Sequence, residues 1–219
     1  MVWRPNPPPF RGFKKKVFTK DIKVSGFIYQ IGESEILRKP CKEVPLDKVT
    51  SKETKAKIKY LKDCLIKYRK ITGFGRGITA VQVGIPERFS VIYKGQTIKN
   101  IKNKKSVTYD DVEVIINPKV TAKSKKLLRY PESCMSLSPV IVPTIRPSWI
   151  EFDYFDEEGK LEHWVRKDRN QVDRMMNRVF QHEIDHMEGI INIDKIKSPK
   201  EVILWSNPDF YSSAKFEEV

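Results

Sequence analysis

Gln171 to Glu188 constrains this chain more than any other stretch. Val172, Met175, Val179, His182 and His186 recur at steps of three and four, which places them on one stripe of an α-helix. Gly189 stands where a C-terminal cap belongs. The stripe runs directly into Gln181-His182-Glu183-Ile184-Asp185-His186, a His-Glu-x-x-His segment. Residues four apart on a helix lie one turn apart on the same face. Two imidazoles there can bind one metal ion, with the intervening Glu183 placed to handle a water beside it. The bland alternative is a chance match in an amphipathic helix. Against it, the apolar stripe carries both imidazoles to the core-facing side, and these are two of only three histidines in the chain.

A metal held by two histidines needs a third ligand. The longer metzincin pattern would place His at position 192, where this chain has Asn192. Asp194 or Glu201 could serve, as in other zinc peptidases. So could Cys134, within Pro131-Glu132-Ser133-Cys134-Met135-Ser136. A thiolate with two imidazoles leaves a coordination position open for water, although a single Cys is more often a buried small hydrophobe. A third segment, Gly75-Arg76-Gly77-Ile78-Thr79-Ala80-Val81-Gln82-Val83-Gly84, has a glycine density that lets a ligand approach the backbone. No Gly-Lys-Ser/Thr follows, so it is not a phosphate loop. On its own it reads as a turn from helix to strand.

The rest of the chain predicts an α+β fold, with strands in the middle and helices flanking them. Ile36 to Pro40 reads as an extended or turn segment. Thr50 to about Ile71 reads as a helix: Thr50 and Glu53 have capping-box spacing, and Ile58, Leu61, Leu65 and Tyr68 form an apolar stripe with Cys64 beside it in the core. Strands are expected at Phe89–Tyr93, Val112–Ile116, Val140–Val142, Trp149–Phe155 and Leu161–Val165, the last two joined by a hairpin turn at Asp156-Glu157-Glu158-Gly159. Lys94 to Asp110, rich in lysine and asparagine, reads as a surface loop inserted in a hairpin. The domain plan is a basic, proline-containing arm over 1–30, a catalytic domain over 31–195 and a C-terminal tail over 196–219.

The net charge of +14 favours anionic partners such as RNA or the ribosome, or reflects no more than a lysine-rich bias. No run approaches the roughly 18 apolar residues of a membrane span, and neither a membrane nor a DNA partner is expected. Three cysteines without CxxC spacing imply free thiols and a reducing compartment. The N-terminal MVWRPNPPPFRGFKKK has no apolar stretch of the secretory kind. It reads as what remains after removal of a transit peptide, or as an ordinary disordered end.

The three chemistry-bearing segments, in this order, resemble the three motifs of the peptide deformylase family. Gly75 to Gln82 is similar to its glycine-rich first motif, Glu132 to Ser136 to its Glu-Gly-Cys-Leu-Ser, and His182 to His186 to its His-Glu-x-Asp-His, including Asp185. Leu37-Arg38-Lys39-Pro40, Ile116-Asn117-Pro118 and Arg146-Pro147 add to the likeness, which covers about residues 31 to 194. Ser133 and Met135 replace the usual Gly and Leu, Thr79 and Val81 a usual Ala and Pro, and Arg76 stands where an aliphatic residue is common. The resemblance implies a deformylase-like α+β fold with antiparallel or mixed sheets around a metal-binding helix. It implies removal of the formyl group from the formyl-methionine of nascent polypeptides, with release of formate. Cys134, His182 and His186 would bind the metal, Fe(II) natively with Zn, Ni or Co as substitutes. Glu183 would be the acid/base, Gln82 (side chain) and Met135 (backbone N–H) the oxyanion donors, and Gly77 a substrate contact, while Glu132 and Arg146 would either be structural, the favoured reading, or hold the substrate terminus. The basic arm and the Lys/Asn-rich insert favour an organelle, a plastid or apicoplast, over bacterial cytoplasm. An endopeptidase using Asp194 or Glu201, and a basic ribosome-associated binding module, are the rival readings.

Overall fold

The computed structural model describes residues 27–72, 74–94, 108–204 and 214–219. Most of the Lys94–Asp110 loop and residues 1–26 of the arm lie outside the described residues. Residues 27–30 belong to the folded body rather than the arm. Ile28 is buried, the Tyr29 N–H donates to the Gln82 carbonyl at 2.8 Å, and the Gln30 carboxamide donates to the Met135 carbonyl at 2.9 Å.

Helix α1 spans Lys52–Thr72. Ile58, Leu61, Cys64, Leu65 and Tyr68 are all buried, as their spacing predicts. The helix starts later than the Thr50–Glu53 spacing suggests. Ser51 supplies the cap, its Oγ accepting from the Thr54 N–H at 3.1 Å.

Strands β1 (Gly77–Thr79), β2 (Phe89–Tyr93), β3 (Val112–Lys123), β6 (Ile150–Phe155) and β7 (Leu161–Val165) form one sheet in the order β1-β2-β3-β6-β7. Strands β4 (Leu127–Ser133), β5 (Val140–Pro147), β8 (Ile203–Leu204) and β9 (Glu217–Glu218) form a second, in the order β8-β5-β4-β9. Every pairing between these strands is antiparallel. Alternation along β2 and β3 explains the first sheet. Phe89, Val91, Val112, Val114 and Ile116 pack with α1, whereas Ile92 and Ile115 pack on the opposite face with Phe152, Met176 and Phe180. Burial on both faces is why these strands read as nearly continuous apolar runs.

Helix α2, Gln171–Met187, packs Met176 and Phe180 against that opposite face. Phe180 lies 5.0 Å from Phe152 and 4.3 Å from Trp164, ring centre to ring centre. On its other side Gln181 donates to the Pro147 carbonyl at 2.9 Å, and Arg178 reaches the carbonyls of Leu128, Tyr130 and Thr144 in the second sheet. The buried positions therefore include Asp173, Met176, Asn177, Phe180 and Glu183, while Val172, Met175 and Val179 are only half-buried. The stripe is displaced from the predicted one because polar side chains serve one of the two packed faces.

Other differences have local causes. Strand β3 continues through Asn117-Pro118, where a proline cannot join the ladder. Its register shifts there, Asn117 adopts φ 51°, and the Asn117 carboxamide exchanges two hydrogen bonds with the Val44 backbone, at 2.9 and 2.8 Å. Strand β4 carries no apolar alternation to read, since its two buried residues are Leu128 and the charged Glu132. Described residues of the segment 196–219, read from sequence as a tail, join the second sheet. They contribute β8 and β9 and stack Phe216 on Tyr130 at 4.2 Å. Glu188 closes α2 and Gly189 follows at φ +73°, where a Cβ would also meet the Arg38 carbonyl carbon at 2.7 Å. Both the conformation and the contact demand glycine.

Candidate active site

Three elements converge on one buried point. Strand β4 ends at Ser133, and Cys134 then caps the 3-10 turn Met135–Leu137, its sulfur facing the Ser136 N–H at 3.4 Å. Helix α2 presents His182 and His186, with ring centres 5.0 Å apart. The Cys134 Sγ lies 3.2 Å from His186 Nε2. Ligand atoms of Cys134, His182 and His186 all lie within 4.8 Å of one another, the one such cluster among the described residues. Cys134 and His186 are buried and His182 nearly so. The two other cysteines are free and buried. Burial pushes the Cys41 thiol up to about 11, which marks it as an inert core thiol.

The donor chemistry fits a divalent metal. A sulfur and two imidazole nitrogens suit iron or zinc. Glu132 Oε2 sits 3.1 Å from His182 Nδ1, a carboxylate–imidazole contact that fixes the tautomer and leaves Nε2 free to ligate. Burial acts against charge on His182, yet Cys134 and Glu132 hold that ring well above the ordinary imidazole range. Burial and the neighbouring charges of His182 and Arg146 push His186 well below it.

Of the two roles open to Glu132 and Arg146, their contacts fit the structural one. Glu132 accepts from Arg146 Nε at 2.7 Å and from its terminal nitrogen at 2.9 Å, and the Arg178 Nε lies 2.7 Å away. Arg146 also binds Asp185 at 2.5 Å. Glu132 and Arg146 are buried. Burial disfavours the Glu132 charge, but the Arg146 and Arg178 guanidiniums and the His182 ring hold the carboxyl well below its usual range. With their polar atoms used in this way, the two residues support His182 from behind. Arg178 is an addition to the sequence reading. Its signal was a cation one helical turn before His182, on a face otherwise read as apolar.

Glu183 is buried. Its Oε2 accepts from the Thr79 hydroxyl at 2.7 Å, and its Oε1 faces Gly77, where a Cβ would come within 2.6 Å. Burial pushes its carboxyl up, against the His182 ring and the Thr79 hydrogen bond. Gln82 is also buried. Its Oε1 accepts from the Thr79 N–H at 2.8 Å, which turns its amide nitrogen toward Ser136 Oγ at 3.0 Å and Cys134 Sγ at 3.9 Å. Met135 opens its turn, where backbone N–H groups have no intrahelical partner. Its side chain lies over Gly75, where a Cβ would meet it at 2.6 Å. Gly77 sits in β1, an edge strand. Thr79 and Ser136 were not singled out in the sequence reading as site residues. Asp194 and Glu201 are engaged elsewhere: Asp194 pairs with Arg38 and accepts from the Ile191 N–H, and Glu201 pairs with Arg129 at 2.8 Å.

Residues 27–202 match the sequence model of the polypeptide deformylase family. A peptide deformylase of Prochlorococcus marinus (strain NATL2A) is 32% identical over 179 residues, covering 80% of this chain and 75% of that protein. Among solved structures, a peptide deformylase from Synechococcus elongatus in complex with actinonin superposes with a TM-score of 0.60 at 25% identity, over 80% of each chain. A probable peptide deformylase from Synechococcus phage S-SSM7 gives 0.61 at 28% identity, over 77% of this chain and 98% of that one. With the family model matched over residues 27–202, most of both chains aligned and a cluster suited to a metal within the matched span, the chain belongs to the peptide deformylase family, metalloenzymes that remove the N-formyl group from nascent polypeptides.

Proposed function

We propose that deformylation in this chain is carried by Glu183 beside a single divalent metal held by Cys134, His182 and His186, with the His-Glu-x-x-His segment of α2 supplying two ligands and the acid/base. The observation that carries the reading is the buried cluster of those three donors, with the Gln82 amide nitrogen 3.9 Å from Cys134 Sγ and the buried Glu183 carboxylate tied to Gln82 through Thr79. When bound, the metal supplies the Lewis acidity that makes water a nucleophile near neutral pH. Fe(II) is the proposed native ion, with Zn, Ni or Co as substitutes.

The chain's own residues then account for the proton and charge movements. Glu183, raised by burial, takes the proton of the attacking water at a carboxylate oxygen and delivers it to the leaving amine. The Gln82 amide and the Met135 N–H donate to the oxyanion that develops on the formyl oxygen. Because Met135 acts through its backbone, the exchange of the usual Leu for Met leaves the donor in place. Gly77, on the edge strand β1, lets an extended peptide be added to the sheet. The Glu132–Arg146–Arg178 cluster orients His182.

Two wider readings rest on charge and composition alone. The ribosome is the proposed partner of the basic surface, and a plastid or apicoplast the proposed compartment. Mapping the mature N-terminus in the native cell tests the second.

The function is tested by formate release from formyl-Met-Ala-Ser, run beside an unformylated peptide watched for internal cleavage. Formate release alone is the expected result, and internal cleavage would instead favour an endopeptidase. Cys134→Ala should abolish metal binding. An unchanged metal stoichiometry in that variant would move the third ligand elsewhere.

A further inference from the structure

Thr79, the last residue of β1, is fully buried and touches both proposed catalytic side chains. Its hydroxyl donates to Glu183 Oε2 at 2.7 Å. Its N–H donates to Gln82 Oε1 at 2.8 Å. The two contacts have different consequences. The amide contact fixes which way the Gln82 carboxamide faces, because a backbone N–H can only be met by the oxygen end. The hydroxyl contact fixes the rotation of the Glu183 carboxylate, a torsion that is otherwise broad. Glu183 Oε1 is confined from the other side by Gly77, where any side chain would collide with it. Thr79 is β-branched, so its own χ1 is stiff and its hydroxyl is not free to follow the carboxylate.

We propose that Thr79 is a positioning residue that holds the Glu183 carboxylate and the Gln82 carboxamide in register with one another. The hydroxyl occupies Oε2 and leaves Oε1, the oxygen over the glycine-rich edge of β1, as the one that exchanges protons. The acid/base and the oxyanion donor come from elements far apart in sequence, α2 and the turn after β1, and one residue ties them together. The hydroxyl stands at a position where the family resemblance leads one to expect alanine, so the contact to Glu183, unlike the backbone contact to Gln82, depends on this chain's threonine. The inference rests on the catalytic role proposed above for Glu183.

The alternative is that Thr79 is merely a satisfied buried hydroxyl. Thr79→Val separates the two, because it keeps the shape, removes the hydroxyl and leaves the N–H contact to Gln82. We expect kcat for formate release from formyl-Met-Ala-Ser to fall about tenfold, since a misplaced catalytic group costs rate rather than binding. KM and metal content should stay at wild-type values, and Thr79→Ser should restore most of the rate. Wild-type kcat in Thr79→Val, a loss confined to KM, or equal losses in Thr79→Val and Thr79→Ser would each overturn the proposal. Thr79→Ala, which only removes atoms, carries the same comparison if the valine variant unfolds or loses its metal. Glu183→Ala is measured alongside. If that variant retains turnover, the reading beneath the proposal fails; if it is inactive while Thr79→Val is unimpaired, only the positioning role fails.

Discussion

Gln82 is held at both ends of its carboxamide, by the Thr79 N–H on the oxygen and by Ser136 Oγ near the nitrogen. A donor fixed in advance costs no reorganisation when charge develops, which is the condition for strong transition-state stabilisation. Replacing Gln82 with Ala should therefore lower kcat by about 10²- to 10³-fold, a barrier increase of about 3–4 kcal/mol, while metal analysis still finds the native stoichiometry. A rise in KM alone, or loss of the metal, would remove Gln82 from the oxyanion role. Gly77 offers the complementary test. A Cβ there would approach Glu183 Oε1 at 2.6 Å and Ile92 Cδ1 at 2.8 Å, so Gly77→Ala should depress turnover by moving the carboxylate. Steady-state kinetics with wild-type rates would show that the site gives way without harm.

At the scale of elements, the second sheet and α2 are joined by buried charge. Glu132 on β4 meets Arg146 on β5 and Arg178 and His182 on α2, and Arg146 continues to Asp185 on the same helix. Removing one partner strands the others in a dry interior. Arg146→Leu should destabilise the fold by about 3–5 kcal/mol, read from the urea midpoint. A shift under about 1 kcal/mol would mean the cluster is solvated or redundant. This network also marks the limit of what sequence could tell. Strands such as β2 and α1's apolar stripe were legible because their burial is carried by hydrocarbon at a regular period. Strand β4 was not, since its inward face is built on Glu132, and α2's apparent stripe was displaced because Arg178, Gln181 and Asn177 serve the packed polar side. The three chemical motifs could be read as local strings, whereas the Thr79 bracket joins residues about a hundred positions apart and needed the fold to appear.

At the scale of the whole molecule, the proposed metal would bridge β4's end and α2, so binding should count toward stability. Any ligand that binds only the folded chain stabilises it by mass action, about 4 kcal/mol at a thousand times its dissociation constant. Stripping the metal with a chelator should lower Tm, and readdition should restore it in wild type but not in Cys134→Ala. An unchanged Tm on stripping would place the ion outside the folded framework. The net charge of +14 makes a separate prediction. Ribosome co-sedimentation should occur at low salt and weaken steeply as salt rises. Binding that ignores salt, or none, would count against a charge-driven partner. The central claim, however, is tested at one carboxylate. The most direct measurement is formate release from formyl-Met-Ala-Ser by anaerobically prepared, metal-loaded Glu183→Ala set against wild type. The account predicts a variant that keeps its metal and its fold and releases no formate above background. Near-normal release by that variant would contradict it.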